Sequence, residues 1–352
     1  MREITYTDEN SIEDINLLLE TEGGCAVFNL PEEQYFAFPA FGSSQLMDML
    51  VCPRFFWHGT HWCPENERRE LPVSPALEFG SQMHKYLLEP GEFYREYKKE
   101  PSTEGTLMTI SDLMDFGQTK GVQLPKGNKK ELEEVVLQRW PDAPVWSAIK
   151  AKYEQDLEAG NIKRITDAQM EKVERMAEAL KREVFYIGDT EVPLSHVFRK
   201  GEAEKTFIWR HKPTGLDIKC RVDWLLANVI FEYRTAVSAS KRAFQRACIN
   251  RNYHIRAGFY WKVVQEVTGQ NLNYYYIAQE KEMPYLNSVN EHAKDHLASG
   301  WAVAEKCLNK IAECLAKGDP SDRRNWESYN GNKVALLDLP DWAYEQPQNE
   351  EE

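Results

Sequence analysis

The sequence predicts an α/β fold of the α+β kind, a mixed central sheet flanked by helices, on the strength of three observations. Helical apolar spacing recurs between Ser43 and Leu180. The period then shortens at Thr206 into three strand-like runs, and a long helix and an aromatic strand follow. At 352 residues the chain exceeds the usual single-domain size, so a large insertion or a second unit is expected.

Each element has its own signal. Residues 1–40 read as an arm with one short helix near Ser11–Glu20. Ser43 and Ser44 precede Leu46, Met49 and Leu50 at helical spacing, and the helix stops before Cys52-Pro53. Ser74-Pro75 is an N-cap with proline at the first helical position, and Ala76, Gly80, Met83, His84 and Leu87 share a stripe that Pro90 ends. Residues 104–145 read helix, Gly-bounded extended piece, helix, and resemble a SAP-type module, which grips DNA at the start of its second helix, here Lys129 and Lys130. A two-helix spacer with a solvated lysine face accounts for the segment equally well. After Ile165-Thr166-Asp167, Met170, Val173, Met176, Ala177 and Leu180 form a core stripe. TFIW, a turn at Lys212–Gly215, LDIKCRVDWLL, Asn228 and VIFEYRT form a three-strand meander. A helix from Lys241 to Val267, the strand NYYYIA and helices over 285–317 complete the chain.

Composition narrows the function classes. Apolar residues at 42%, with 10 Trp, 16 Tyr and 15 Phe, provide for a packed core. No run of eighteen apolar residues spans a membrane, and the N-terminus lacks a signal-peptide h-region. Seven scattered cysteines without a C-x-x-C pair predict neither a disulfide frame nor a zinc ribbon, and a cytoplasmic, reduced protein is expected. Cys307 and Cys314 are too few to complete an iron–sulfur cluster with Cys52. The net charge of −13 argues against a generally sticky nucleic-acid binder, although a local basic channel is compatible with it.

The meander carries the chemistry. Glu204 opens its first strand, Asp223 ends the second, and Glu232 and Arg234 stand one pleat apart on the third. A hairpin would set Asp223 beside Glu232 at the sheet edge, and paired carboxylates there need a cation. Magnesium or manganese suits such oxygen-rich sites, and metal-assisted phosphodiester hydrolysis is the reaction that uses them. Taken alone, Asp, Glu and Arg on strands are more often surface ladder pairs.

The stretches FGSSQLMDMLVCPRFFW, GSQMHKYLLEP, AEKTFIW…TGLDIKCRVDWLL…IFEYRT and YHIRAGFY occur in the order of the RecE-type (exonuclease VIII) family, within the PD-(D/E)XK nuclease superfamily. The resemblance covers residues 36–100 and 165–285. It implies a PD-(D/E)XK nuclease core over 161–340, with an N-terminal arm and first core helices over 1–103; the SAP-like pattern adds a helical insertion over 104–160, and the charge composition an acidic tail over 341–352. It further implies that His84, Glu204, Asp223 and Glu232 hold one or two Mg2+ or Mn2+ ions, with Asp223, Glu232 and Arg234 catalytic. Arg221, Tyr253, Arg256 and Tyr260 would face DNA. Without the resemblance His84 is a satisfied core histidine, Arg221 is equally well a strand ion pair, and at least one of the two tyrosines is core packing.

By the same resemblance the protein is a ring-shaped homo-oligomer of phage or prophage type. It would degrade the 5′-ended strand of linear duplex DNA from double-stranded ends and hand the remaining strand to an annealing protein. The sequence departs from the family pattern where lysine becomes Arg234, which keeps the charge but cannot give up a proton, and where glutamine becomes Arg256. A nuclease-like protein without catalysis, acting as a phage inhibitor or decoy, is the alternative, and an endonuclease is a third reading.

Overall fold

The change of period at Thr206 marks the middle of a seven-stranded sheet. The structure, a computed structural model, describes residues 2–8, 10–69, 74–160, 162–338 and 340, so the expected acidic tail lies outside the described residues. Strands β1 (Glu3–Thr5), β2 (Gly24–Phe28), β3 (Glu202–His211), β4 (Leu216–Leu226), β5 (Val229–Ala236), β6 (Asn273–Glu280) and β7 (Asn287–Glu291) lie side by side in chain order. β1–β2 and β5–β6 are parallel and the other neighbours antiparallel, so the sheet is mixed. Parallel neighbours require a crossover, which the helix Asn10–Thr21 supplies for the first pair and the helices Lys241–Asn250 and Tyr253–Thr268 for the second.

Strand alternation gives the sheet two apolar faces. Ala26, Phe207 and Trp209 join a large core with Leu46, Phe259, Val263, Leu297, Leu308 and Trp326. Their sequence neighbours Cys25, Val27 and Ile208 turn to the other face and pack with Ile15, Leu19 and Phe38. Helices Tyr253–Thr268 and Lys294–Leu315 approach so closely that a Cβ at Gly258 would overlap the backbone of Leu297, Gly300 and Trp301, and one at Gly300 would overlap that of His254.

Three expectations need correction. Residues 1–40, expected as an arm with one short helix, hold that helix but also two strands: β1 and β2 belong to the sheet, and β2 pairs with β3, far away in sequence. The expected helix from Lys241 to Val267 is two helices, broken where Asn252 takes a left-handed φ of 55°. Within the expected helical region 285–317, residues Asn287–Glu291 form β7, because they pair with β6.

The chain divides into two units, one of Met1–Pro72, Lys200–Glu280 and Leu286–Glu352, the other of Val73–Arg199 and Lys281–Tyr285. The sheet lies wholly in the first. In the second, Ser74 caps the helix Pro75–Leu88 by accepting from the Leu77 amide. The segment expected as an insertion has a small core of its own, with Leu113, Leu124, Leu132 and Val136 between helices Ile110–Thr119 and Lys129–Arg139. Asp167–Arg182 buries the five expected residues Met170, Val173, Met176, Ala177 and Leu180. Among the described residues no helix is long and apolar enough to cross a membrane, and all seven cysteines are free and buried.

Candidate functional site

Asp223 lies where the sheet parts on both sides. On the β3 side the pairing runs Ala203–Trp224 and resumes at Lys205–Val222, skipping Glu204, whose φ of 50° is left-handed. Such a conformation in a residue with a Cβ is costly and gathers at functional sites. On the β5 side the recorded pairing ends at Trp224–Phe231, one step before Asp223 and Glu232. Their carboxylates replace the missing ladder. Glu232 Oε1 accepts from the Asp223 amide at 3.2 Å, and Asp223 Oδ2 accepts from the Tyr233 amide at 2.6 Å. Opposed residues of neighbouring strands share a face, so Glu204 and Glu232 flank Asp223 from its two neighbouring strands, and a Glu204 oxygen comes within 4.8 Å of one from Asp223.

Asp223 and Glu232 thus meet as expected, but in the interior of the sheet and not at its edge, because β6 and β7 lie beyond β5. Both are buried, Glu232 completely. Arg234 supplies their counter-charge. Its Nη2 donates to Glu232 Oε2 at 2.6 Å, its Nη1 donates to the Tyr233 carbonyl at 2.6 Å, and Nη1 lies 3.5 Å from Asp223 Oδ2. Burial opposes the arginine charge, yet Glu232 and then Asp223 hold its pKa well above the ordinary value. The guanidinium also lies 5.7 Å from the Tyr253 ring and 5.8 Å from that of Tyr276.

The other expected residues divide. Arg221 is committed inside the fold: it donates to Thr206 and to the Leu30 carbonyl, lies 3.8 Å from Glu204 and covers the Tyr35 ring. Tyr253 and Tyr260 are half-buried against the large core. The Tyr253 carbonyl accepts from the Tyr276 hydroxyl. Burial and then Glu232 raise the Tyr260 pKa, while Arg256 and a hydrogen bond with Ser43 oppose the rise. Arg256 is half-buried, and its Nε has no hydrogen-bond partner among the described residues. His84 is half-buried on the helix Pro75–Leu88 of the second unit, beside the fully buried Gln82 and Met83. Lys129 and Lys130, exposed at the start of the helix Lys129–Arg139, also belong to the second unit, Lys129 facing Glu133 at 3.7 Å.

Two contributors had no sequence signal. Tyr35, in the segment read as an arm, carries the guanidinium of Arg221 on its ring. His292 packs edge-on against Tyr274 and Tyr276, next to the strand position of Glu232. Burial, then His296 and His254, push its pKa down to about 4.

Glu204, Asp223 and Glu232 offer carboxylate oxygens, the hard donors that magnesium and manganese prefer, so the donor set fits a divalent ion. A second cluster, His58, Cys63 and Glu67, includes a soft thiol and suits neither ion as well.

Asp223 lies inside its strand, which runs on to Leu226, and does not end it as expected. A mixed sheet with helical crossovers, an aspartate within one central strand and Glu-x-Arg on the next fit a PD-(D/E)XK-like nuclease fold. The chain belongs to the family described as "PDDEXK-like domain of unknown function (DUF3799)", whose profile matches residues 42–325. Among solved structures it is similar to a protein from Eubacterium rectale that carries the provisional description of an exonuclease. The two share 12% identity with a TM-score of 0.50, over 89% of this chain and 97% of the other. A search of curated proteins gave no match.

Proposed function

We propose that the chain is a metal-dependent deoxyribonuclease of RecE-like type that degrades linear duplex DNA from its ends. The observation that carries this is Asp223, beside Glu232 on one strand and within 4.8 Å of Glu204 on the other, where the central strands part, with Arg234 reaching both Asp223 and Glu232. A bound Mg2+ or Mn2+ ion would supply an activated water and charge stabilisation for phosphodiester hydrolysis. Asp223 and Glu232 would hold it with Glu204. Arg234 and Arg256 are the cations for phosphate, and the partnerless Nε of Arg256 is a donor awaiting an acceptor. Lys129 and Lys130 would add duplex grip. Degradation in the 5′-to-3′ direction, a ring-shaped homo-oligomer, an annealing partner and a phage recombination role belong to the same proposal.

The test is digestion of end-labelled linear duplex and of nicked circles with Mg2+ or Mn2+. Loss of the 5′-ended strand from linear DNA alone supports the proposal. Cutting of circles would replace it with an endonuclease. One observation favours a second reading, a nuclease-like DNA-end or protein binder that does not cut: Arg234 already sets its positive charge against both carboxylates. Binding of linear ends without cleavage in either metal would establish it.

A further inference from the structure

We propose that Arg234 is a built-in counter-cation that competes with the divalent ion for Asp223 and Glu232, so that metal loads fully only when a DNA phosphate draws the guanidinium away. This inference rests on the metal-dependent function above and adds its regulation.

Two observations carry it. The first is the oxygen cage. The guanidinium spans Glu232 Oε2 and the Tyr233 carbonyl at 2.6 Å each and comes within 3.5 Å of Asp223 Oδ2. A backbone carbonyl and two carboxylates are also what a hard divalent ion seeks, so two cations contend for one set of oxygens. A planar fork can span carboxylate and carbonyl together, whereas an ammonium is a single point of charge. Arg221 lies against Glu204 as well, so two arginines already share the three carboxylates, and the pull on a dication is weaker than from bare acids.

The second observation is an unmet donor. Arg234 Nε is buried and has no hydrogen-bond partner among the described residues. An orphaned donor on a charged group is expensive, so this pose is incompletely satisfied and a phosphate oxygen is a better partner. DNA and metal binding are then linked: whatever takes Arg234 leaves the carboxylates to the ion, and by reciprocity the ion strengthens the hold on DNA.

The experiment is calorimetric titration of the full chain with Mn2+ without DNA, with thermal melting in Mn2+ and in EDTA alongside. Manganese is used because, like magnesium, it suits carboxylate oxygens, whereas the thiol of the His58–Cys63–Glu67 cluster favours softer ions such as zinc. Arg234→Met should bind Mn2+ at least tenfold more tightly than the unaltered chain, melt lower in EDTA and gain the larger Mn2+-dependent rise in Tm. Arg234→Lys, a gentler change should Arg234→Met fail to fold, should lie between the two. A short duplex carrying phosphorothioate ends should tighten Mn2+ binding to the unaltered chain and have little effect on Arg234→Met. Equal Mn2+ affinity in all three proteins would overturn the competition and leave the metal site standing. Absence of Mn2+ binding in every variant would overturn the metal site itself, and the inference with it.

Discussion

Replacing Asp223 by asparagine and by alanine separates what this side chain does for the fold from what it does for chemistry. Asp223 Oδ2 is the acceptor for the buried Tyr233 amide at 2.6 Å, at the step where β5 leaves β4. Alanine orphans that amide at a cost of about 1–3 kcal/mol, and it removes one of the two carboxylates beside Arg234. Relief of repulsion between Asp223 and Glu232 offsets part of this. The net expectation for Asp223→Ala is a loss of about 1–3 kcal/mol in urea unfolding. Asparagine keeps an oxygen for the Tyr233 amide, so Asp223→Asn should stay within about 1 kcal/mol of the parent. Both should lose DNA cleavage by at least about 10²–10³-fold, the scale for removing one preorganised electrostatic group. An asparagine protein that cuts like the parent would refute the catalytic assignment. An alanine protein as stable as the parent would refute the role of this carboxylate in closing the gap between the strands.

Other consequences follow from the packing and charges. Gly258→Ala should destabilise by about 1–3 kcal/mol in thermal or urea unfolding, because the added methyl meets backbone of the facing helix, which cannot rotate aside. His292 has a pKa of about 4 in the fold against an ordinary 6.5. The unfolded chain therefore takes up the proton first as pH falls, and stability present above pH 6.5 drains away towards pH 4 by about 3 kcal/mol. Unfolding curves of His292→Phe across that window should show a shallower pH dependence than the parent. Arg256→Ala should weaken duplex binding across all sequences and lower the salt slope by about one, as expected for the loss of one phosphate contact. An unchanged slope would remove Arg256 from the DNA surface.

The meander was legible because its signals are local. Turn residues at Lys212–Gly215 and the strand-forming run LDIKCRVDWLL, buried along most of its length, set the strands, and with them the adjacency of Asp223 and Glu232. What escaped was non-local. β2 is five residues long and becomes a strand through its partner β3, and β7 becomes one through β6. The break at Asn252 opposes an otherwise continuous helical period. Gly258 and Gly300 look like weak points of their helices until the two helices are seen to touch there. The arginine replacing lysine was visible in the sequence, but its place between the carboxylates and the Tyr233 carbonyl comes from the parting of the strands.

The most direct test of the central claim is incubation of linear duplex DNA with the full chain in Mg2+, in Mn2+ and in EDTA, beside the Asp223→Asn protein. The account predicts DNA loss in at least one metal, none in EDTA, and none with the well-folded asparagine protein. Cleavage that persists in EDTA or in the asparagine protein would contradict it.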